Sequence, residues 1–260
     1  MSMADVTDGF WRLPPIARTI SAATLVTSVS IYAGLLPAYW LAFIPARLFT
    51  FPPQIWRVFS NFLLTRPKLS MTFDAYFLYT NTRSLEMDNP RFAKREDLIW
   101  YFIFVCSAIT AVCTYLFGGG FFLPALILAI CRTATQDQRG MKASIYFFTI
   151  PAQLMPFALL LMSLLMDGPF LMELCGLFVA HLYDFLTRIY PTFTGGRNLL
   201  PTPAFLSRIV QAPRDIRRSY GTAFRPPTET PSGNATGSST GSGPLPEAWR
   251  SRGPGRRLGD

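Results

Sequence analysis

Leu98–Phe117, LIWYFIFVCSAITAVCTYLF, decides the fold: it carries no charge and is long enough to cross the hydrocarbon core of a bilayer as a helix, which takes roughly 20 residues. Ser144–Met166, SIYFFTIPAQLMPFALLLMSLLM, reaches the same length. From Leu98 to Tyr190 the chain is largely apolar, broken mainly by one polar turn, Arg132 to Lys142, so lipid rather than water must solvate most of it. With 260 residues, 50% hydrophobic and 15% charged, the chain has room for one membrane domain of several spans and a tail.

Working outward from Leu98, six spans are expected. The first is Ile16–Leu36, ended by Pro37. Pro37–Ser70 mixes Tyr39, Trp40, Phe43, Phe49, Phe51 and Trp56 with prolines and the cations Arg47, Arg57, Arg66 and Lys68, a composition suited to the headgroup interface. The second span, about Met71–Asn81, is short and polar. Leu98–Phe117 is the third, followed by a hinge at Gly118–Gly120 and a short fourth run, Phe121–Cys131. The fifth is Ser144–Met166, and Asp167-Gly168-Pro169 turns the chain into the sixth, Phe170–Tyr190. This makes the chain an all-α polytopic membrane protein with a membrane domain at 16–190.

Lysine and arginine mark the cytosolic connectors. The N-terminal segment, 1–15 with the first turn of span one, carries Arg12 and Arg18. The second connector carries Arg83, Arg91, Lys94 and Arg95, and the fourth Arg132, Arg139 and Lys142. The third and fifth connectors have none, which places both termini in the cytosol; the first loop is the exception. No signal peptide is expected, because residues 1–15 lack a basic n-region and hold Asp5 and Asp8. Beyond the juxtamembrane segment 191–220, the stretch from Arg225 to Pro246 is rich in Pro, Gly, Ser and Thr and buries too little apolar surface to order, so 221–260 is expected to be a disordered tail. Asn234-Ala235-Thr236 matches a glycosylation acceptor that the cytosolic side would leave silent, and the terminal Arg-Leu-Gly-Asp is not a lumenal retention signal.

Composition also excludes. The net charge of +9 sits in connectors and tail with no reading helix or RNA-binding motif, so nucleic acid is not a partner. Cys106, Cys113, Cys131 and Cys175 lie in apolar runs without metal-ligand spacing, and His181 is the sole histidine, so neither a metal nor another cofactor is expected. Ser107, Ser144 and Ser163 suit hydrogen bonds to a neighbouring turn or helix, and Met155, Met162, Met166 and Met172 suit packing or lipid. A charge at mid-bilayer costs roughly 2.5–3.5 kcal/mol. Asp74 is therefore the candidate to line a hydrated groove, with Gln153, Glu173 and Asp184 nearer helix ends.

Three stretches together resemble the Derlin family, the rhomboid-like pseudoproteases of endoplasmic-reticulum quality control. They are Trp56-Arg57; Tyr79 through Arg83 with Asn81, then Leu85 and Glu86; and Gly176 to Leu206 with His181, Tyr190-Pro191, Gly195-Gly196-Arg197, Thr202-Pro203 and Phe205-Leu206. The resemblance covers residues 10–210 and implies a rhomboid-like six-helix fold in the endoplasmic-reticulum membrane. It also implies retrotranslocation of misfolded clients to a membrane ubiquitin ligase and a cytosolic AAA+ unfolding ATPase. Trp56, Arg57, Asp74, Tyr79 and Asn81 become candidates for membrane or client contact, and Gly176, Ala180 and His181 for helix packing.

Two departures stand out. Ala180 replaces the second glycine usual in the sixth-span small-xxx-small pair, still allowing close helix approach. The tail residues Gly253, Gly255, Arg257, Leu258 and Gly259 resemble an ATPase-docking SHP box, yet Arg252 stands where an aromatic is expected and Trp249 is three residues farther upstream.

A rhomboid protease needs a serine on span four facing a histidine on span six, because a hydroxyl at its free pKa is a poor nucleophile without a base. Phe121–Cys131 contains no serine. An active intramembrane serine protease is thus disfavoured, as is a small-solute transporter, for which inverted repeats are missing. A fourth run rising only about 16–17 Å at 1.5 Å per residue, against a hydrocarbon core of roughly 27–30 Å, suggests local thinning of the bilayer, with span two similarly undersized.

Overall fold

The computed structural model describes residues 3–48, 50–51, 54–138, 140–145, 148–165, 168–194 and 200–210. The chain divides into Met1–Ile216 and Arg217–Asp260, and every described residue lies in the first unit. The tail with Gly253, Gly255, Arg257, Leu258 and Gly259, and the Gly195-Gly196-Arg197 motif, fall outside the described residues.

The architecture is mostly helical. A short helix α1 (Met3–Arg12) leads into α2 (Pro15–Tyr32), whose start is favoured by Pro15 at the first helical position. The aromatic loop carries two single-turn helices, α3 (Pro45–Leu48) and α4 (Arg57–Ser60). The bundle continues with α5 (Leu69–Met87), α6 (Arg95–Phe117) and α7 (Leu123–Gln136). After an antiparallel hairpin, β1 (Lys142–Ile145) with β2 (Phe148–Pro151), come α8 (Met155–Leu165) and α9 (Phe170–Asp184). A π-helical turn, Phe185–Ile189, carries α9 directly into α10 (Tyr190–Thr194), and α11 (Ala204–Ile209) follows.

Helix α7 is the axis of the bundle. Nearly every residue from Leu123 to Thr135 is buried, because α5, α6, α8 and α9 surround it. Around this axis α2 packs outside α5, and α6 packs against α9. Polar groups gather at the two ends. One is the basic end, where α5, α7 and α9 finish and α2 and α6 begin; the other holds the aromatic loop and the glycine hinge.

Several expected boundaries are corrected. The second span is not short: α5 has 19 residues, about 28 Å, because Arg83 to Met87 continue the helix until Asp88-Asn89-Pro90 stops it. Charge there does not mark where the helix ends. The fourth helix extends past Cys131 to Gln136, giving 14 residues and about 21 Å, with Thr133 and Thr135 bonded back to its own carbonyls. The fifth span is not helical from Ser144: its first part forms the hairpin, and helix occupies only Ala152–Leu165. Ile145 to Ile150 is rich in aromatic and β-branched residues that favour strand, and Pro151 closes the run. The hairpin is the departure from a purely α-helical fold.

The hinge is as expected. Gly118, Gly119 and Gly120 have φ of 78°, 143° and 141°, a region that L side chains rarely adopt. Gly120 exchanges both backbone hydrogen bonds with Phe43, each at 3.0 Å, pinning the aromatic loop to the hinge. Among the described residues Arg95–Phe117 and Phe170–Phe193 are long and apolar enough to cross a membrane, and Leu123–Gln136 and Ala152–Leu165 are shorter apolar helices.

Candidate functional site

The aromatic loop places two adjacent residues in opposite environments. Trp56 is 50% exposed, while Arg57 is 2% exposed. The Arg57 guanidinium donates to the carbonyls of Tyr39 and Ala42, both at 2.6 Å, and to Gln54 Oε1 at 2.5 Å. It also lies 5.1 Å from the Tyr39 ring centroid. One buried cation thereby ties the turn at 39–42 to the segment 54–57, leaving Trp40, Phe51, Ile55, Trp56 and Phe59 facing outward as an apolar surface.

At the same end of the bundle, Asp74 on α5 is buried and ion-paired to Arg66 at 3.1 Å, with the Arg66 amide adding a bond at 3.3 Å. Arg66 also approaches Glu173 on α9 at 3.8 Å, and Ser163 on α8 donates to Glu173 at 2.7 Å. Four residues from the loop, α5, α8 and α9 therefore share one polar cluster. The Asp74 carboxylate faces this cluster. Gly168 fits beneath it, since a methyl group there would overlap Ser163 Oγ and crowd the Arg66 guanidinium. The pairing was hard to foresee because Lys68, with φ of 64°, bends the chain back so that Arg66 meets a carboxylate eight residues on.

The seam between α7 and α9 rests on Gly176. A methyl group at this position would overlap the carbonyl of Ala125, so only glycine permits the backbones to touch. Ala180, one turn on, is also buried. His181 is exposed at the basic end, where its Nε2 accepts a bond from Arg132 Nε at 3.4 Å. The hydroxyls on α7 are engaged: Thr133 pairs with Tyr101 at 2.9 Å, and Thr135 donates to Cys131 at 2.8 Å.

On α5, Tyr79 is partly buried, and Asn81 is buried with its amide donating to the Phe77 carbonyl at 2.8 Å. Farther along, Glu86 accepts from the amides of Ile16 and Ala17 at 3.1 and 2.9 Å. A carboxylate there satisfies the free N–H groups of α2 and complements its dipole. Glu86 was legible only as part of the resembling stretch; its capping role needed the tertiary fold, its targets lying 70 and 69 residues away.

Asp184 completes the polar set at the basic end. It binds Arg91 at 3.2 Å and Gln136 at 2.5 Å, while Arg188 pairs with Asp137 at 2.9 Å. The structure thus brings Trp56, Arg57 and Asp74 to one end, sets Tyr79 and Asn81 along α5 and Gly176 and Ala180 in the α7–α9 seam, and leaves His181 at the other end. Gln153 is exposed, and the four cysteines are buried and unpaired.

Comparison with known proteins places this arrangement. The Der1-like family matches residues 13–204, from the residue before α2's proline entry into α11. Mouse and human Derlin-1 are each 30% identical over 227 residues, covering 84% of this chain and 88% of theirs. Derlin-1 of Drosophila melanogaster is 27% identical over 243 residues, 90% of this chain and 96% of its own. With the family matched from α2 through α10, this membrane protein belongs to the Der1-like family, the Derlins.

Proposed function

We propose that the protein is a non-catalytic retrotranslocation factor of endoplasmic-reticulum-associated degradation, crossing that membrane six times with both termini in the cytosol. Membership of the Derlin family supports the role, and one observation supports the mechanism: α7 and α8 are too short for the bilayer. α7 holds 14 residues, and the helical run Ala152–Leu165 that contains α8 also holds 14 described residues, each about 21 Å of helix against a hydrocarbon core of roughly 27–30 Å. A bundle with two undersized helices thins the surrounding bilayer and admits water, lowering the barrier for a polar polypeptide. Misfolded clients enter along the thinned region and pass to a membrane ubiquitin ligase. The tail motif then tethers the cytosolic AAA+ ATPase by raising its local concentration.

The pseudoprotease reading draws on α7 itself. Its sequence contains no serine, and His181 shares its hydrogen bond with Arg132. Labelling by a serine-directed activity probe, or a cleaved substrate whose scission needs His181, would overturn it. The loop supports the lipid contact: Trp56 stands outward on a frame that Arg57 holds. Trp56→Ala is expected to slow degradation of a misfolded lumenal client while leaving the protein folded; unchanged degradation would refute the assigned role.

A further inference from the structure

At the basic end, a pocket of about 610 Å³ opens between the start of α6, the end of α9 with its π turn, and the segment before α11. Its size falls within the roughly 300–1,000 Å³ of small-molecule sites. Arg91, Arg188, Asp97 and Asp137 supply its charge, and Trp100 and Tyr183 supply aromatic wall. The pocket lies where the apolar faces of both long spanning helices give way to charge, at Arg95–Asp97 on α6 and Asp184–Arg188 at the close of α9. That is the level of lipid headgroups.

Four observations narrow the ligand. The lining charges balance, two cations against two carboxylates, so a simple anion would face Asp97 and Asp137, and a simple cation would face Arg91 and Arg188. The π turn, in which the Tyr190 amide reaches back to the Phe185 carbonyl, puts Thr187 and Arg188 on the lining, and such turns cluster at functional sites. The Trp100 indole N–H has no hydrogen-bond partner among the described residues, although buried polar groups are normally satisfied. Arg188 is half-exposed, with side-chain accessibility of 48%, so its guanidinium has edges left to offer beyond Asp137.

We propose that this pocket is a binding site for a zwitterionic phospholipid headgroup bearing a primary ammonium, of the phosphatidylethanolamine type. Arg188, assisted by Arg91, takes the phosphate, and Asp97 and Asp137 take the ammonium. A primary ammonium suits carboxylates because it carries three N–H donors, whereas a quaternary choline has none and needs an aromatic cage. Thr202 donates to Asp97 at 2.6 Å, so the segment before α11 closes one wall and aligns the carboxylate. This assignment stands independently of the retrotranslocation reading.

Native mass spectrometry of the full-length protein with dioctanoyl phosphatidylethanolamine, phosphatidylcholine and phosphatidylglycerol tests it. The ethanolamine lipid should be retained in preference to the other two. Arg188→Gln removes the phosphate contact without burying a void and should weaken retention at least about tenfold. Leu200→Trp, which adds bulk to the pocket lining, should do the same, while Lys142→Gln on the hairpin should leave it unchanged. Equal retention of phosphatidylcholine would overturn the ammonium–carboxylate contact, and preference for phosphatidylglycerol would show an anion site instead. Full competition by free phosphoethanolamine at equal concentration would overturn the lipid as the source, as would binding that survives both pocket variants.

Discussion

Arg57 and Trp56 show how neighbouring residues divide structural and surface work. Removing the Arg57 side chain strands the carbonyls of Tyr39 and Ala42 and the Gln54 amide oxygen. Arg57→Ala should therefore cost about 2–4 kcal/mol, seen as a lower thermal midpoint in detergent, with lysine only partly restoring it for want of a planar fork. Trp56→Ala should shift that midpoint little, since half the ring is already exposed. A double alanine variant confounds the two effects, which makes the Trp56 variant the cleaner probe of function. Asp74 behaves like Arg57. Asp74→Asn leaves Arg66 beside a neutral amide and should destabilise by about 1–3 kcal/mol, checked by the same melt.

At the scale of elements, helix contacts depend on single small residues and caps. Gly176→Val should force α9 away from α7, because the added carbons collide with backbone that cannot rotate aside. The expected outcome is a loss of about 3 kcal/mol or failure to accumulate, measured by folded yield and fluorescence-detected size-exclusion. Ala180→Gly should be mild by comparison. Glu86→Ala should loosen the start of α2 by about 1–3 kcal/mol, visible as faster amide exchange at Ile16 and Ala17. Gly176 was legible as a packing residue only through the family resemblance, which implies a small-xxx-small pair with Ala180. Its partner, the Ala125 carbonyl, was not, because close approach of two backbones leaves no side-chain pattern.

The described residues of the first unit form a bundle of unequal helices around a buried α7, and the proposed behaviour in lipid rests on the short ones. If α7 and α8 thin the bilayer, raising acyl-chain length in reconstituted vesicles should slow client movement progressively, because each added ångström of mismatch costs a fraction of a kcal/mol. Transport indifferent to thickness would contradict the mechanism. Sequence alone determined that lipid is the solvent, that Leu98–Phe117 and Phe170–Tyr190 are apolar and long, that Gly118–Gly120 turns, and which family the chain resembles. These are legible because apolar length, glycine conformation and family motifs are local properties of the chain. Tertiary structure decided that α5 is long, that a hairpin replaces the first part of the fifth span, and that Arg66 serves Asp74 while Glu86 caps α2. Each of those outcomes depends on a neighbour supplied from elsewhere in the chain: a polar group inside a bundle is placed by the partner that satisfies it, and chain order does not reveal that partner.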